Sequence, residues 1–358
     1  MLVCHISPTY FAPESVIGGG ERFVEELAQA MAARCNVKLI SFGKTPNRNR
    51  VNAKYERVIL RNWTRDSMTP FSPWLFRELQ GADVIHCHQY YVLSTFLSAL
   101  WGYLRRVPVF VTDLGGGGWT PAYHIDQSRW IAAHLPISRY AAQRLPPGRN
   151  QNHYVIYAGV DPSRWSMRPS LRHDGSVVFL GRILPHKGIH FLIQGIPSSM
   201  PLKVIGPIMN AAYYEELKRL AQGKSVQFLH NLSDAEVREY LVRAMALVHP
   251  TPVDETGSPR AYELFGLAVV EAMACGCVPV VSNVGPLPEI VENGISGILV
   301  PPNDPQAIRE ALERLHRDHL LWARLSQAAR ERIEQHFTWD QVVDRCLKAY
   351  QMFRSFRD

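Results

Sequence analysis

The sequence predicts an α/β protein made of two doubly wound domains, and three observations carry that reading. The chain of 358 residues is longer than a single core usually grows, and 46% of it is apolar, enough for two cores. Short apolar runs ending in glycine or polar residues alternate with stretches of helical periodicity, and the alternation begins afresh at SVVFLG in the second half. Between the halves lies SRWSMRPSLRHDG, rich in Ser, Arg, Pro and Gly, which reads as a linker. The expected domains are therefore 1–168 and 169–337, with 338–358 as a terminal helix.

In the first half, LVCHIS reads as a buried strand. Gly18, Gly19 and Gly20 then lead into ERFVEELAQAMAARC, whose Phe23, Leu27, Ala30 and Met31 recur at helical spacing. Such a glycine loop lets a ligand approach the backbone at a helix N-terminus, and a tight strand-to-helix turn uses the same residues. NVKLISFG is a second strand. ADVIHCHQYY is a later one, with His86 and His88 on one face because strand side chains alternate. Two histidines so placed offer a metal two ligands, but no third is apparent, and packing at the strand end is the favoured reading. VPVFVTDLGGGGW is another strand, running into Gly115 to Gly118. Ligands of open α/β sheets gather at the carboxyl ends of strands, so a catalytic group is expected near Thr112 and Asp113. Asp113 has a second reading, as a cap on the amides of the glycine run.

The second half repeats the pattern. SVVFLG is a strand, Gly181 and Arg182 follow it, and Lys187 and Gly188 open a helix. An Arg fork and a Lys point charge at this place suit a phosphate group. LKVIGP is the next strand. After SVQFLH, a helix capped by Ser233 carries Glu236 at the capping-box position. Val278 to Val281 form a buried strand, and the helix starting at Asp304 turns Ile308, Leu312 and Leu315 inward.

The densest stretch is ELFGLAVVEAMACG, from Glu263 to Gly276. LAVVEAMAC is apolar on nearly every side, so its helix is buried, and the carboxylate of Glu271 then needs a partner such as a ligand hydroxyl. Gly266 carries no side chain, leaving the amides of Phe265, Gly266 and Leu267 free to meet an anion where the helix dipole favours one.

Glu263 and Glu271, with seven residues between them in E-x-F-G-x-x-x-x-E and followed by AMACG-x-PVV, resemble the signature of glycosyltransferase family 4, retaining enzymes of the GT-B fold. G-R-x-x-x-x-K-G directly after a strand matches that family's donor-phosphate motif, and VIYAGVDPSRW its N-G-V-D turn, with Ala158 replacing the asparagine. The resemblance implies two Rossmann-like domains facing across a cleft. It also implies that the terminal helix crosses back to brace the first domain, making a double-stranded hinge.

In the roles that the resemblance implies, Arg182 and Lys187 bind the donor diphosphate, Glu263 faces the sugar and Glu271 accepts from ribose hydroxyls. Phe265, Gly266 and Leu267 donate amides, and Gly181 ends the strand before the phosphate motif. His230 lies with Leu229 and Asn231 against the nucleobase. Gly18, Gly19 and Gly20 close over the donor. The implied reaction transfers a hexose with retention from a nucleotide-diphosphate sugar, a UDP-hexose being expected, to a glycan, lipid-linked or small-molecule hydroxyl. No cofactor is expected, and no metal, since Arg182 and Lys187 take the place of a divalent ion. Family members often carry T-x-H where this chain has Thr112, Asp113 and Leu114. Asp113 is accordingly the candidate on the acceptor side, and VDETGSPRAYE is a small insertion before the first glutamate.

Other classes make different demands. A dinucleotide oxidoreductase needs G-x-G-x-x-G, which the early GGGE is not. A non-catalytic nucleotide-sugar sensor would keep the donor motif and tolerate Leu114. The six cysteines sit in apolar surroundings without CxxC spacing, against zinc and against a disulfide framework. The net charge of +7 comes from dispersed basic residues with no nucleic-acid motif, so no nucleic acid is expected, while contact with an anionic membrane face is compatible with it. Without a signal-like leader or a span of about 20 apolar residues, a cytoplasmic protein is expected.

Overall fold

The computed structural model describes residues 1–8, 19–64, 69–115, 120–167, 173–254 and 263–354. The chain divides into two compact units, one of residues 1–159 and 339–358, the other of residues 160–338. The units are described separately.

The first unit runs β1 (Leu2–Ile6), α1 (Gly19–Met31), β2 (Asn36–Gly43), β3 (Asn47–Arg50), β4 (Tyr55–Arg61), α2 (Leu75–Glu78), β5 (Val84–His88), α3 (Leu93–Arg105), β6 (Val109–Thr112), β7 (Ala133–His134) and α4 (Arg139–Ala142). Its sheet has the order β3-β4-β2-β1-β5-β6-β7, parallel except for the antiparallel pair β3–β4. The buried strands are mostly apolar, as parallel strands covered on both faces are, with His5 of β1 and His86 and His88 of β5 as buried exceptions. α1 turns Phe23, Val24, Leu27, Ala28 and Met31 inward. Ser138 caps α4, its hydroxyl accepting the amide of Ala141 at 2.8 Å.

The second unit contains β8 (Val177–Leu180), α5 (Ile189–Gly195), β9 (Leu202–Ile205), α6 (Ala211–Leu220), β10 (Val226–Leu229), α7 (Asp234–Arg243), β11 (Ala246–His249), α8 (Leu267–Ala274), β12 (Val278–Ser282), α9 (Leu287–Ile290), β13 (Ile298–Val300), α10 (Pro305–Arg317) and α11 (His319–His336). Its six strands lie in the order β10-β9-β8-β11-β12-β13, all parallel. Local signals set the helix starts. Ser233 and Glu236 form a reciprocal capping box on α7, and Asp304 accepts the amide of Ala307 at 2.9 Å to cap α10. Ile308, Leu312 and Leu315 of α10 are buried against the sheet.

α12 (Trp339–Arg354) returns to the first unit, where it packs on α1. Trp339 donates its indole N–H to Glu26 at 2.8 Å, and its ring lies 2.8 Å from where a Cβ on Gly159 would stand. The expected linker is shorter than the sequence implies. The units part between Gly159 and Val160, because Trp165 is buried in the second unit and Arg330 grips the carbonyls of Pro162 and Trp165 at 3.1 and 2.9 Å. Residues 168–172 of that stretch lie outside the described residues.

His86 and His88 are joined in the first unit's core by His5, which stands opposite His86 across the β1–β5 ladder. The candidate ligand atoms of the three lie within 4.8 Å of one another. Thr112 Oγ1 donates to the carbonyl of Leu135 at 2.9 Å, so it accepts from His86 Nε2 at 2.8 Å, and His86 Nδ1 accepts from Tyr350 Oη at 2.8 Å. His5 Nδ1 meets His88 Nε2 at 3.0 Å. Burial pushes all three rings below the ordinary histidine range, His5 to about 3, so they are neutral. With both His86 nitrogens engaged, and no carboxylate hydrogen-bonded to the three rings among the described residues, hydrogen-bonded packing describes the cluster. Tyr350→Phe would strand the His86 Nδ1 acceptor in the core. The expected loss is about 1–3 kcal/mol of first-unit stability, read by chemical denaturation; an unchanged midpoint would show that the bond contributes nothing.

Candidate active site

In the second unit's sheet the strand order reverses between β8 and β11, and the carboxyl ends of these two strands meet the candidate residues. Gly181 follows β8 and Gly206 follows β9 with φ of 153° and 145°, and a Cβ on Gly206 would lie 2.0 Å from the Gly181 carbonyl oxygen. No side chain fits there. Arg182 is exposed just beyond, and among the described residues no carboxylate pairs with it.

A 3₁₀ turn over Pro185–Lys187 ends at Gly188, whose φ of 67° starts α5. A Cβ at Gly188 would stand 1.9 Å from the Pro250 carbonyl oxygen. This close approach brings Lys187 to the loop after β11. There Lys187 Nζ donates to Glu263 Oε2 at 2.6 Å, and His249 Nε2 donates to the same oxygen at 3.2 Å. Burial alone would raise the Glu263 carboxyl, but the Lys187 ammonium and the His249 hydrogen bond overcome it and hold the group well below the carboxylate range. His186 is lowered, first by burial and then by Lys187 and Arg182, which together make this turn electropositive.

α8 begins at Gly266, whose φ of 125° and ψ of 57° are open to glycine. Among the described residues no backbone carbonyl receives the amides of Gly266, Leu267 or Ala268, the ordinary condition of a helix's first turn. Phe265 is buried against Phe337, with ring centroids 5.9 Å apart. Glu271 is 6% exposed on a helix that is otherwise apolar, the burial its surrounding sequence predicts. Beyond β10, His230 Nδ1 donates to the Gly206 carbonyl at 2.6 Å. That leaves Nε2 as a buried acceptor with no partner among the described residues.

The structure thus joins Lys187 to Glu263 and links His230 to the Gly181–Gly206 contact. Gly19, Gly20 and Asp113 lie in the first unit, the two glycines at the start of α1, while Gly18 is outside the described residues. Asp113 Oδ1 accepts the amide of Gly115 at 3.2 Å. Gly116 to Gly118, and most of the inserted stretch before Glu263, are also outside the described residues. His249 is the residue that the sequence reading passed over. Its signal was available: a histidine closing an apolar strand, at the sheet edge where ligands gather.

Two family models tile most of the chain: Glycosyltransferase Family 4 over residues 17–164 and Glycosyl transferases group 1 over residues 165–332. The chain belongs to the family 4 glycosyltransferases, of GT-B fold. It is 25% identical over 307 residues to an uncharacterized glycosyltransferase of Methanocaldococcus jannaschii, covering 75% of each chain. To the GDP-mannose:cellobiosyl-diphosphopolyprenol alpha-mannosyltransferase of Komagataeibacter xylinus it is 26% identical over 286 residues, 73% of this chain and 69% of that one. Anabaena HepE in complex with UDP shares the fold of this glycosyltransferase with a TM-score of 0.77 at 18% identity, over 98% of this chain and 100% of that one.

In the first unit, burial raises the Asp113 carboxyl from 3.8 to about 6, against the lowering effect of the Gly115 and Tyr90 amides. Between those values the folded state binds more protons than the unfolded one, so this group's contribution to stability falls as pH rises and is constant above the interval. Asp113→Asn stays uncharged and removes that slope. Its thermal midpoint should gain on the wild type as pH climbs from about 4 to about 6.5; a constant difference would place the carboxyl in an ordinary environment.

Proposed function

We propose that the protein is a retaining hexosyltransferase that takes a hexose from a nucleotide-diphosphate sugar, a UDP-hexose by preference, and places it on a glycan, lipid-linked or small-molecule hydroxyl. The observation that carries this reading is the electropositive turn of Arg182 and Lys187, with Lys187 held against the largely buried carboxylate of Glu263. In the donor complex Lys187 and Arg182 take the diphosphate oxygens, and Glu263 is left to accept from the sugar hydroxyls. Glu271 accepts from ribose hydroxyls, His230 and Gly181 border the nucleotide, and the amides of Phe265 to Leu267 meet sugar or phosphate oxygens.

In the proposed step the bond between the anomeric carbon and the diphosphate oxygen breaks. A bond to the acceptor oxygen forms on the same face, and the acceptor proton passes to the leaving diphosphate. Positive charge from Arg182 and Lys187 stabilises that leaving group without a divalent ion. Two relatives support the donor class: the Komagataeibacter protein takes its name from GDP-mannose, and Anabaena HepE has been solved with UDP-glucose. Both compounds are hexose diphosphonucleosides, and the shared chemistry is a diphosphate beside a polyol.

Gly19, Gly20 and Gly18 belong to the proposed donor side of the first unit, and Asp113 to the acceptor side. A second reading, non-catalytic nucleotide-sugar binding, draws on Leu114, which stands where the family often has histidine. Donor binding without acceptor-dependent release of nucleotide would favour it. Among the described residues no helix is long and apolar enough to cross a membrane. Contact with an anionic bilayer is part of the proposal, Tyr103 and Leu104 being exposed beside Arg105 and Arg106 at the end of α3. Co-sedimentation with phosphatidylglycerol vesicles, lost in high salt, is the expected result.

Arg182→Ala should leave thermal stability unchanged, since the side chain is exposed, and lower nucleotide release by about 100-fold. Lys187→Ala should lower it at least as far and also weaken binding of the bare nucleoside diphosphate. Near-normal turnover in both variants, with the metal chelated, would sink the phosphate role.

A further inference from the structure

We propose that His249 is the positioning residue for the donor sugar: its Nε2–H keeps Glu263 Oε2 in place when Lys187 leaves that oxygen for the donor diphosphate. The proposal rests on the donor-site reading above. Its starting point is that Lys187 and His249 share one oxygen of Glu263, at 2.6 and 3.2 Å. The two partners differ in freedom. Lys187 reaches Glu263 on a flexible four-carbon stem from a 3₁₀ turn, with 16% of its side chain exposed. His249 is 4% exposed, ends β11 and is paired with Val281 of β12, so the sheet fixes its backbone. The ring of Phe179 stands 6.4 Å from its ring.

Of the pair, Lys187 can follow a phosphate and His249 stays. Once Lys187 has moved, Glu263 would be a largely buried carboxylate with its countercharge elsewhere, and such a group takes up a proton or swings out of place unless a donor retains it. The His249 Nε2–H is that donor. Its bond occupies one lone pair of Oε2, leaving Oε1 and the second Oε2 lone pair for sugar hydroxyls. Because the carboxylate oxygen is an acceptor, Nε2 must carry the proton, and a neutral ring suffices. His249 thereby acts on the hexose through Glu263 and has no part in holding the nucleotide.

This separation is measurable. Calorimetric titrations would compare UDP-glucose with UDP and GDP-mannose with GDP, using the full chain and whichever pair the wild type binds. His249→Leu should weaken the sugar nucleotide about tenfold, the loss of one hydrogen bond to a charged group, while the bare nucleotide changes less than about twofold. His249→Gln, whose amide N–H reaches where Nε2 stood, should restore the ratio. His249→Asn, too short to do so, should not, and this pair keeps the comparison available if the Leu variant folds poorly. Equal weakening of sugar nucleotide and nucleotide, or an unchanged ratio in Leu and Asn alike, would overturn the role of His249. Wild-type protein that binds neither pair would overturn the donor-site reading itself, and this proposal with it.

Discussion

A carboxylate kept largely from water needs hydrogen-bond donors, and the second unit is arranged so that Glu263 has two. The requirement reaches back into the backbone. Lys187 arrives because Gly188 turns with positive φ against the Pro250 carbonyl, an approach that any Cβ would block. His249 arrives because β11 runs parallel to β12 and ends at the same edge. One ion pair thus ties the turn after β8 to the loop after β11 across the point where strand order reverses. Its strength comes from burial. An exposed pair of the same type contributes little, whereas removing one partner of a buried pair is costly.

The same logic governs the neighbouring strand ends. Gly181 and Gly206 bring two backbones so close that no side chain separates them, and the Gly206 carbonyl then orients His230. Backbone at the carboxyl edge is therefore supplied without side chains in the way, which is what a diphosphate or a nucleotide ring requires of a protein surface.

Much of this was legible along the chain. Helix starts were readable because their determinants are local: Ser233 with Glu236, Asp304 with Ala307. So was the burial of Glu271, since its helix is apolar on every turn. Features set by distant partners were hidden. β3, the four exposed residues Asn47–Arg50, has no apolar alternation and exists through its pairing with β4. His5 joined His86 and His88 by ladder register, which two histidines on one strand cannot announce. Trp165 looked like linker until Arg330, 165 positions on, took its carbonyl. For the site, residue types and spacing marked Lys187 and Glu263, while the oxygen they share with His249 is a fact of three dimensions.

The return of α12 to the first unit bears on the order of events at the ribosome. Residues 160–338 are contiguous, so the second unit has all its parts once Thr338 has emerged. The first unit is synthesised earlier yet stays unfinished until the final helix arrives. Until then Glu26 lacks the Trp339 indole and His86 lacks the Tyr350 hydroxyl. The half of the molecule made first is completed last, and a ribosome that stalls before Trp339 leaves a nascent chain whose second unit is whole and whose first unit has an open face on α1.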